Sequence, residues 1–260
     1  VSATELPVEL LSRIEDAGLN ASAPPQQRWL DGWLVRFSPG KAQRARCINA
    51  VAPGRSAPAE KLAQCQTLYR SAGLRLIFRI TPFSQPTGLD DWLAQRGYQR
   101  FGDTRVMVCP LLPRHLHETA PEGTRFESVG SEAYAHIVGE FRGTVLSGRQ
   151  AHAERLKHSP VPYHGMLLRA ADGAVLACGQ YAIESELVGL YDVFTAPAAR
   201  GQGLSRRLCA GLLAQAREQG ARTAYLQVDT DNHAARAVYR RLGFADGYAY
   251  HYRALPSAEG

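Results

Sequence analysis

Arg200-Gly201-Gln202-Gly203-Leu204-Ser205 lies between an apolar run, Leu187 to Thr195, and a segment of helical period. A helix that begins near Gln202 presents unpaired N–H groups and the positive end of its dipole to whatever lies in front of it. Glycines at 201 and 203 let the backbone approach an anion with no side chain in the way, and Arg200 adds a charge-assisted contact. Leu204, Leu208 and Leu212 recur every fourth residue, Leu213 and Ala216 widen the apolar stripe, and Gly220 stands where a C-cap belongs. These features describe a phosphate cradle, although two glycines by themselves also suit an ordinary strand-to-helix turn.

The downstream residues separate the two readings. After a second strand-like run, Thr223 to Val228, come a polar turn, a short helix and a Gly-aromatic entry into another strand, from Asp231 to Phe244. With both motifs in view the chain resembles the Gcn5-related N-acetyltransferase (GNAT) superfamily. Arg200 to Ser205 is similar to that family's Arg/Gln-x-x-Gly-x-Gly/Ala pyrophosphate loop, with Ser205 where Gly or Ala is usual. Asn232, Ala235, Tyr239, Gly243 and Phe244 match its Asn-x-x-Ala-x-x-x-Tyr-x-x-x-Gly-Phe element.

The resemblance implies acetyl-CoA as acyl donor, a primary amine as acceptor, and direct attack in a ternary complex. It assigns to the cofactor Val193, Phe194 and Thr195 on a strand that splays from its neighbour, the loop residues Arg200, Gly201, Gln202, Gly203, Leu204 and Ser205, and then Asn232, Ala235 and Tyr239. Tyr239 matches the position that donates a proton to, or hydrogen-bonds, the CoA sulfur; read from the residues alone it also suits a half-buried core tyrosine beside Val238 and Leu242. Asn232 matches a contact to the pantetheine arm, and by propensity it is equally a helix N-cap.

Acyl transfer to an amine also needs a neutral nucleophile. The family's glutamate, thirteen positions before the loop arginine, is Leu187 here, so that role does not carry over. Asp192 is the best local substitute, because a carboxylate inside an apolar strand is costly unless paired and burial raises its pKa toward a useful range. A structural hydrogen bond explains it as well. His164 is a further candidate, Glu184 and Glu186 flank a hairpin turn, and a water chain needs no residue at all. No pattern argues for a metal.

At 260 residues and 45% hydrophobic, the chain is long enough for two modest cores. The net charge of +6 comes from basic residues without a long run or interleaved aromatics, so no nucleic-acid partner is expected. A diphosphate with a 3′-phosphate is a sufficient anionic partner for Arg200, Arg206, Arg207, Arg236, Arg240 and Arg241. No apolar run approaches a membrane span and no charged-then-apolar signal opens the sequence, so no membrane partner and a cytoplasmic location are expected. The five cysteines are scattered without a Cys-x-x-Cys pair, which reads as buried free thiols.

The N-terminal residues repeat the same order of elements: helices at Leu6 to Ala17, Glu60 to Ala72 and Leu89 to Arg96, strands at Trp29 to Phe37, Ala42 to Val51, Leu74 to Ile80 and Tyr98 to Cys109. Gly73 and Gly97 precede Gly220 and Gly243 by 147 and 146 residues in matching contexts. Gly54-Arg55-Ser56-Ala57-Pro58 stands near the place of the phosphate loop without a Gly-x-Gly, and Leu93 replaces Tyr239. The expectation is an α/β chain of α+β type in two GNAT-like halves, each a mixed, mostly antiparallel sheet flanked by helices. A degenerate domain spans 1–112, a proline-bearing linker 113–121 and the catalytic domain 122–260, as monomer or homodimer. Helices at Ser131 to Phe141 and Arg149 to Lys157 then overlie the acceptor pocket. Two other classes stay open: an acyl-CoA-binding regulatory module and a structural interaction protein.

Overall fold

Alternating apolar residues and turn chemistry organise both halves of the chain, in a computed structural model that describes residues 6–38, 42–113 and 119–256. In chain order the elements are α1 (Val8–Ala21), β1 (Gln27–Leu30), β2 (Trp33–Arg36), β3 (Ile48–Ala50), α2 (Pro58–Ser71), β4 (Phe78–Ile80), α3 (Leu89–Ala94), β5 (Gln99–Cys109) and β6 (Thr124–Val129). They continue with α4 (Ser131–Phe141), α5 (Leu146–Lys157), β7 (Tyr163–Ala170), β8 (Val175–Glu184), β9 (Leu187–Thr195), α6 (Leu204–Glu218), β10 (Thr223–Asp229), α7 (His233–Arg241) and β11 (Ala245–Ala254).

One compact unit comprises Val1–Ala21 with Val106–Gly247, the other Ser22–Arg105 with Tyr248–Gly260. By this division the chain changes unit after Ala21, inside β5 and inside β11; of the expected linker 113–121, residues 114–118 lie outside the described residues. Helix α1 belongs with the C-terminal unit: Arg13 pairs with Glu186 at 2.9 Å, Asn20 donates to Glu184 at 2.9 Å, and the Tyr163 hydroxyl donates to the Ala21 carbonyl at 2.6 Å.

In the C-terminal unit the strands run in the order β5-β10-β9-β8-β7-β6. β6 through β9 pair antiparallel and β10 joins β9 in parallel. Sheet residues of alternating direction enter two cores. Met166, Leu168, Ala177, Val188 and Leu190 pack with Leu204, Leu208, Leu212, Leu213 and Ala216 of α6. Leu167 and Cys178 pack with Tyr134, Ala135 and Val138 of α4 and Ala153 and Leu156 of α5. β6 falls in a segment that carried no strand expectation, because Thr124 to Val129 is only partly buried and alternates weakly.

In the N-terminal unit the order is β1-β2-β3-β4-β11, antiparallel except for β3 with β4. The expected single strand Trp29 to Phe37 is a hairpin, since Asp31 and Gly32 both take positive φ, 43° and 85°, as a two-residue hairpin turn demands. The expected strand Ala42 to Val51 is a short 3-10 turn, Gln43–Ala45, followed by β3. Trp33, Ile48, Phe78 and Tyr98 form its core with Leu62, Cys65 and Tyr69 of α2 and Leu93 of α3.

The loop that leads into α2 is tied down by a side chain of its own unit, ahead of the N-cap Ala57. The Asp31 carboxylate accepts from the amides of Arg55 (2.8 and 3.0 Å) and Ser56 (2.7 Å). Fully buried Lys61 stands behind it, donating to the carbonyls of Asp31 at 3.0 Å and Pro53 at 2.7 Å, with its Nζ 4.0 Å from Oδ2. The amide bonds from Ser56 and Arg55 hold the Asp31 carboxyl below the usual carboxylate range.

Candidate active site

β9 and β10 are in register from Leu187 opposite Thr223 to Leu190 opposite Leu226, and there the pairing ends. β9 continues to Thr195 and β10 to Asp229, so the strands part and the β9–β10 ladder does not extend over Val193 to Thr195, whose last carbonyl accepts from Arg200 Nε at 3.4 Å. On its other side β9 carries a bulge: Gln180 faces Tyr191 and Cys178 faces Phe194, so three steps on β9 match two on β8. Asp192, at φ 50°, is the residue that turns the strand there.

The strand leads through the short 3-10 turn Pro197–Ala199 to the loop. Gly201 and Gly203 have φ of 77° and 73°, a conformation glycine adopts without cost, and a Cβ at either position would meet nothing within 4 Å. Glycine is thus required by the backbone path, while the space beside the loop is open. The first turn of α6 has Arg207 N bonded to Gly203 O at 3.3 Å, so the amides of 203 to 206 precede the first such bond and face outward at the helix start. Arg200 is exposed, its guanidinium 5.7 Å from the Phe194 ring centre. Arg236 is not available to an anion, being bonded to Asp246 at 2.9 Å and to the Thr230 carbonyl at 3.1 Å. At the other end of α6 Gly220 takes φ 101°, as the C-cap expectation requires.

On α7, Tyr239 is 8% exposed, its ring 6.0 Å from Phe244, within the core that holds Leu204, Leu208 and Cys209. Burial, and to a smaller degree Cys209, raises its pKa, which keeps the phenol protonated with a hydrogen to donate. Asn232 caps α7, its Oδ1 accepting from Ala235 N at 3.1 Å, which realises the structural alternative for that residue.

Asp192 differs from expectation in the direction of its pKa. Burial opposes its ionisation, but His152 in contact and the charges of Arg142, His152 and Arg155 outweigh burial and hold the carboxyl far below the usual range. Arg142 Nη1 and Gln180 Nε2 both donate to it at 2.9 Å, and His152 Nε2 lies 3.3 Å from Oδ2. So stabilised a carboxylate is a poor proton acceptor. Val193 turns into the α6 core, whereas Phe194 stacks on Phe141 of α4, ring centres 5.3 Å apart.

His164 stacks on Tyr181 at 4.8 Å and lines a cavity of about 570 Å³ with Gln215, Glu218 and Gln219, at the end of α6 opposite the loop. Glu184 and Glu186 are occupied by Asn20 and Arg13. Sequence reasoning missed His152, Arg142 and Gln180. The one signal was the charge inside β9, which demanded partners without naming them.

Five cysteines are free and buried. Among the described residues no helix is long and apolar enough to cross a membrane, and no cluster of three or more His, Cys, Asp or Glu side chains is placed to hold a metal.

A sequence profile of the family described as "Probable histone acetyltransferase Rv0428c C-terminal" matches residues 11–253. The chain is 24% identical over 230 residues to the "Uncharacterized N-acetyltransferase YobR" of Bacillus subtilis, covering 87% of this chain and 91% of that protein. Among solved structures, a GCN5-related N-acetyltransferase from Kribbella flavida aligns with a TM-score of 0.66 at 20% identity, over 95% of this chain and 96% of its own. A tandem GNAT protein from the clavulanic acid biosynthesis pathway aligns at 0.65 and 18% identity, over 80% and 73%. These two likenesses are of fold.

Proposed function

The chain belongs to the Rv0428c C-terminal acetyltransferase family, a GNAT-type N-acetyltransferase with tandem architecture, and from that premise we propose that its C-terminal unit moves the acetyl group of acetyl-CoA to a primary amine. The observation that carries this reading is the parting of β9 and β10 directly before a glycine-shaped helix start, one place for an extended amide-bearing arm and another for a diphosphate.

The residues present fit such a group. The amides at the start of α6, the open space beside Gly201 and Gly203, and Arg200 form the anion end; the backbone of Val193 to Thr195 beyond the β9–β10 ladder, with Asn232 and Ala235, flanks the arm. When bound, acetyl-CoA supplies the activated acetyl group. Tyr239 holds a proton at Oη for the sulfur that departs, and its burial keeps that proton in place up to high pH. Phe141, Phe194 and the α4 and α5 helices cover the acceptor side and limit water there.

The test is thiol release from acetyl-CoA against a panel of small amines, amino acids, aminosugars and a histone-tail peptide, with CoA binding followed by calorimetry. Amine-dependent release supports the transferase. Tight binding with no release for any amine overturns it in favour of an acyl-CoA-sensing module, a reading that the absence of the family's glutamate at Leu187 keeps in play.

A further inference from the structure

We propose that His152 is the proton acceptor for the incoming amine and that Asp192 positions it, an inference that rests on the acetyltransferase reading above. The bulge sets Asp192 next to Val193, just past the point where β9 and β10 part, so its carboxylate flanks the slot assigned to the acyl donor. Helix α5 brings His152 against that carboxylate, Nε2 3.3 Å from Oδ2. Nε2 is buried and makes no formed hydrogen bond at the angle it holds. A small rotation toward Oδ2 satisfies it as a donor, and the ring then has Nδ1 as its acceptor. Among the described residues no group bonds to Nδ1.

Asp192 suits orientation rather than proton capture, because Arg142 and Gln180 already fix it as a carboxylate. A carboxylate behind an imidazole selects the tautomer and stabilises the imidazolium that forms. In the step, the amine nitrogen forms its bond to the acyl carbon and yields a proton to Nδ1, the thioester C–S bond breaks, and the sulfur takes the Tyr239 proton. Solvent then removes the proton from His152 and restores that of Tyr239. The groups facing the pair are Arg142 just past the end of α4, the Tyr134 hydroxyl from α4, Arg155 from α5, and Gln180 and Cys178 from β8.

The tautomer is read in the apoprotein by long-range ¹H–¹⁵N NMR, with His152→Gln to assign the signal and Asp192→Asn to remove the carboxylate charge. Turnover is then measured across pH with the best amine of the panel, with CoA affinity as the control for folding. The expected results are an Nε2–H tautomer that Asp192→Asn disturbs, and a fall in kcat of about a hundredfold in His152→Gln with CoA affinity retained. The acidic limb of kcat/KM is lost in that variant, and added imidazole restores part of the rate. An Nδ1–H tautomer in the wild type, or an unchanged kcat and pH profile in His152→Gln, overturns the base role alone. Absence of turnover with every amine in the wild type overturns the acetyltransferase reading and the base role with it, whatever the tautomer.

Discussion

Burial raises the pKa of both Tyr239 and Asp192, and their partners decide the opposite outcomes. Among the described residues no charged partner favours ionisation of Tyr239, so it keeps its proton. Tyr239→Phe is expected to lower kcat at least tenfold while CoA affinity by calorimetry stays within about twofold, because only the proton is removed. Asp192 has cationic partners, and its carboxyl is depressed. A group whose pKa is depressed by folding adds stability above its unfolded pKa and loses it as pH falls through the folded value. Asp192→Asn is therefore expected to cost about 1–2 kcal/mol at neutral pH in denaturant unfolding, and the difference from wild type should vanish in strong acid. A difference that persists there would mean the carboxylate charge is not its source. The spacing from Asn232 through Tyr239 to Phe244 made those residues legible, because the motif is one short helix with its immediate flanks. The sign at Asp192 was not, because Gln180, His152 and Arg142 lie 12, 40 and 50 residues away and no local spacing brings them together.

Helices α6 and α2 begin after comparable strands and meet their exposed amides differently. At α6 the glycine loop leaves the helix start open. Gly203→Glu places bulk and negative charge there at a φ of 73°, so CoA binding should fall below detection in calorimetry while the melting temperature falls by a few degrees only. Retained affinity would count against the loop assignment. Before α2 the Asp31 carboxylate instead takes the amides of Arg55 and Ser56 in the loop ahead of the N-cap, with Lys61 behind it. Sequence showed the absence of Gly-x-Gly at Gly54 to Pro58, but not the carboxylate that fills the place, which comes from a hairpin turn 24 residues earlier. That Asp31-Gly32 pair was itself a readable hairpin signal inside a run that looked like one strand. Most other elements were legible from apolar period, α6 and β7 to β9 best of all, since their alternation coincides with burial on two faces.

At the scale of the molecule, the C-terminal unit carries the open glycine loop, while in the N-terminal unit the loop before α2 is tied to Asp31. CoA titration should therefore fit one site per chain, and Gly203→Glu should remove all of it; a second site surviving in that variant would place binding in the N-terminal unit. The exchange of α1 and of the residues from Tyr248 onward between units was not legible, because period and spacing describe elements and not which core they join. The most direct measurement follows isotopically labelled acetyl-CoA by mass spectrometry with the best amine of the panel. Label on the amine nitrogen with wild type, and none with Gly203→Glu, is the expected result. Label found only in free acetate, or transferred equally by both proteins, would contradict an N-acetyltransferase built on the loop from Arg200 to Ser205.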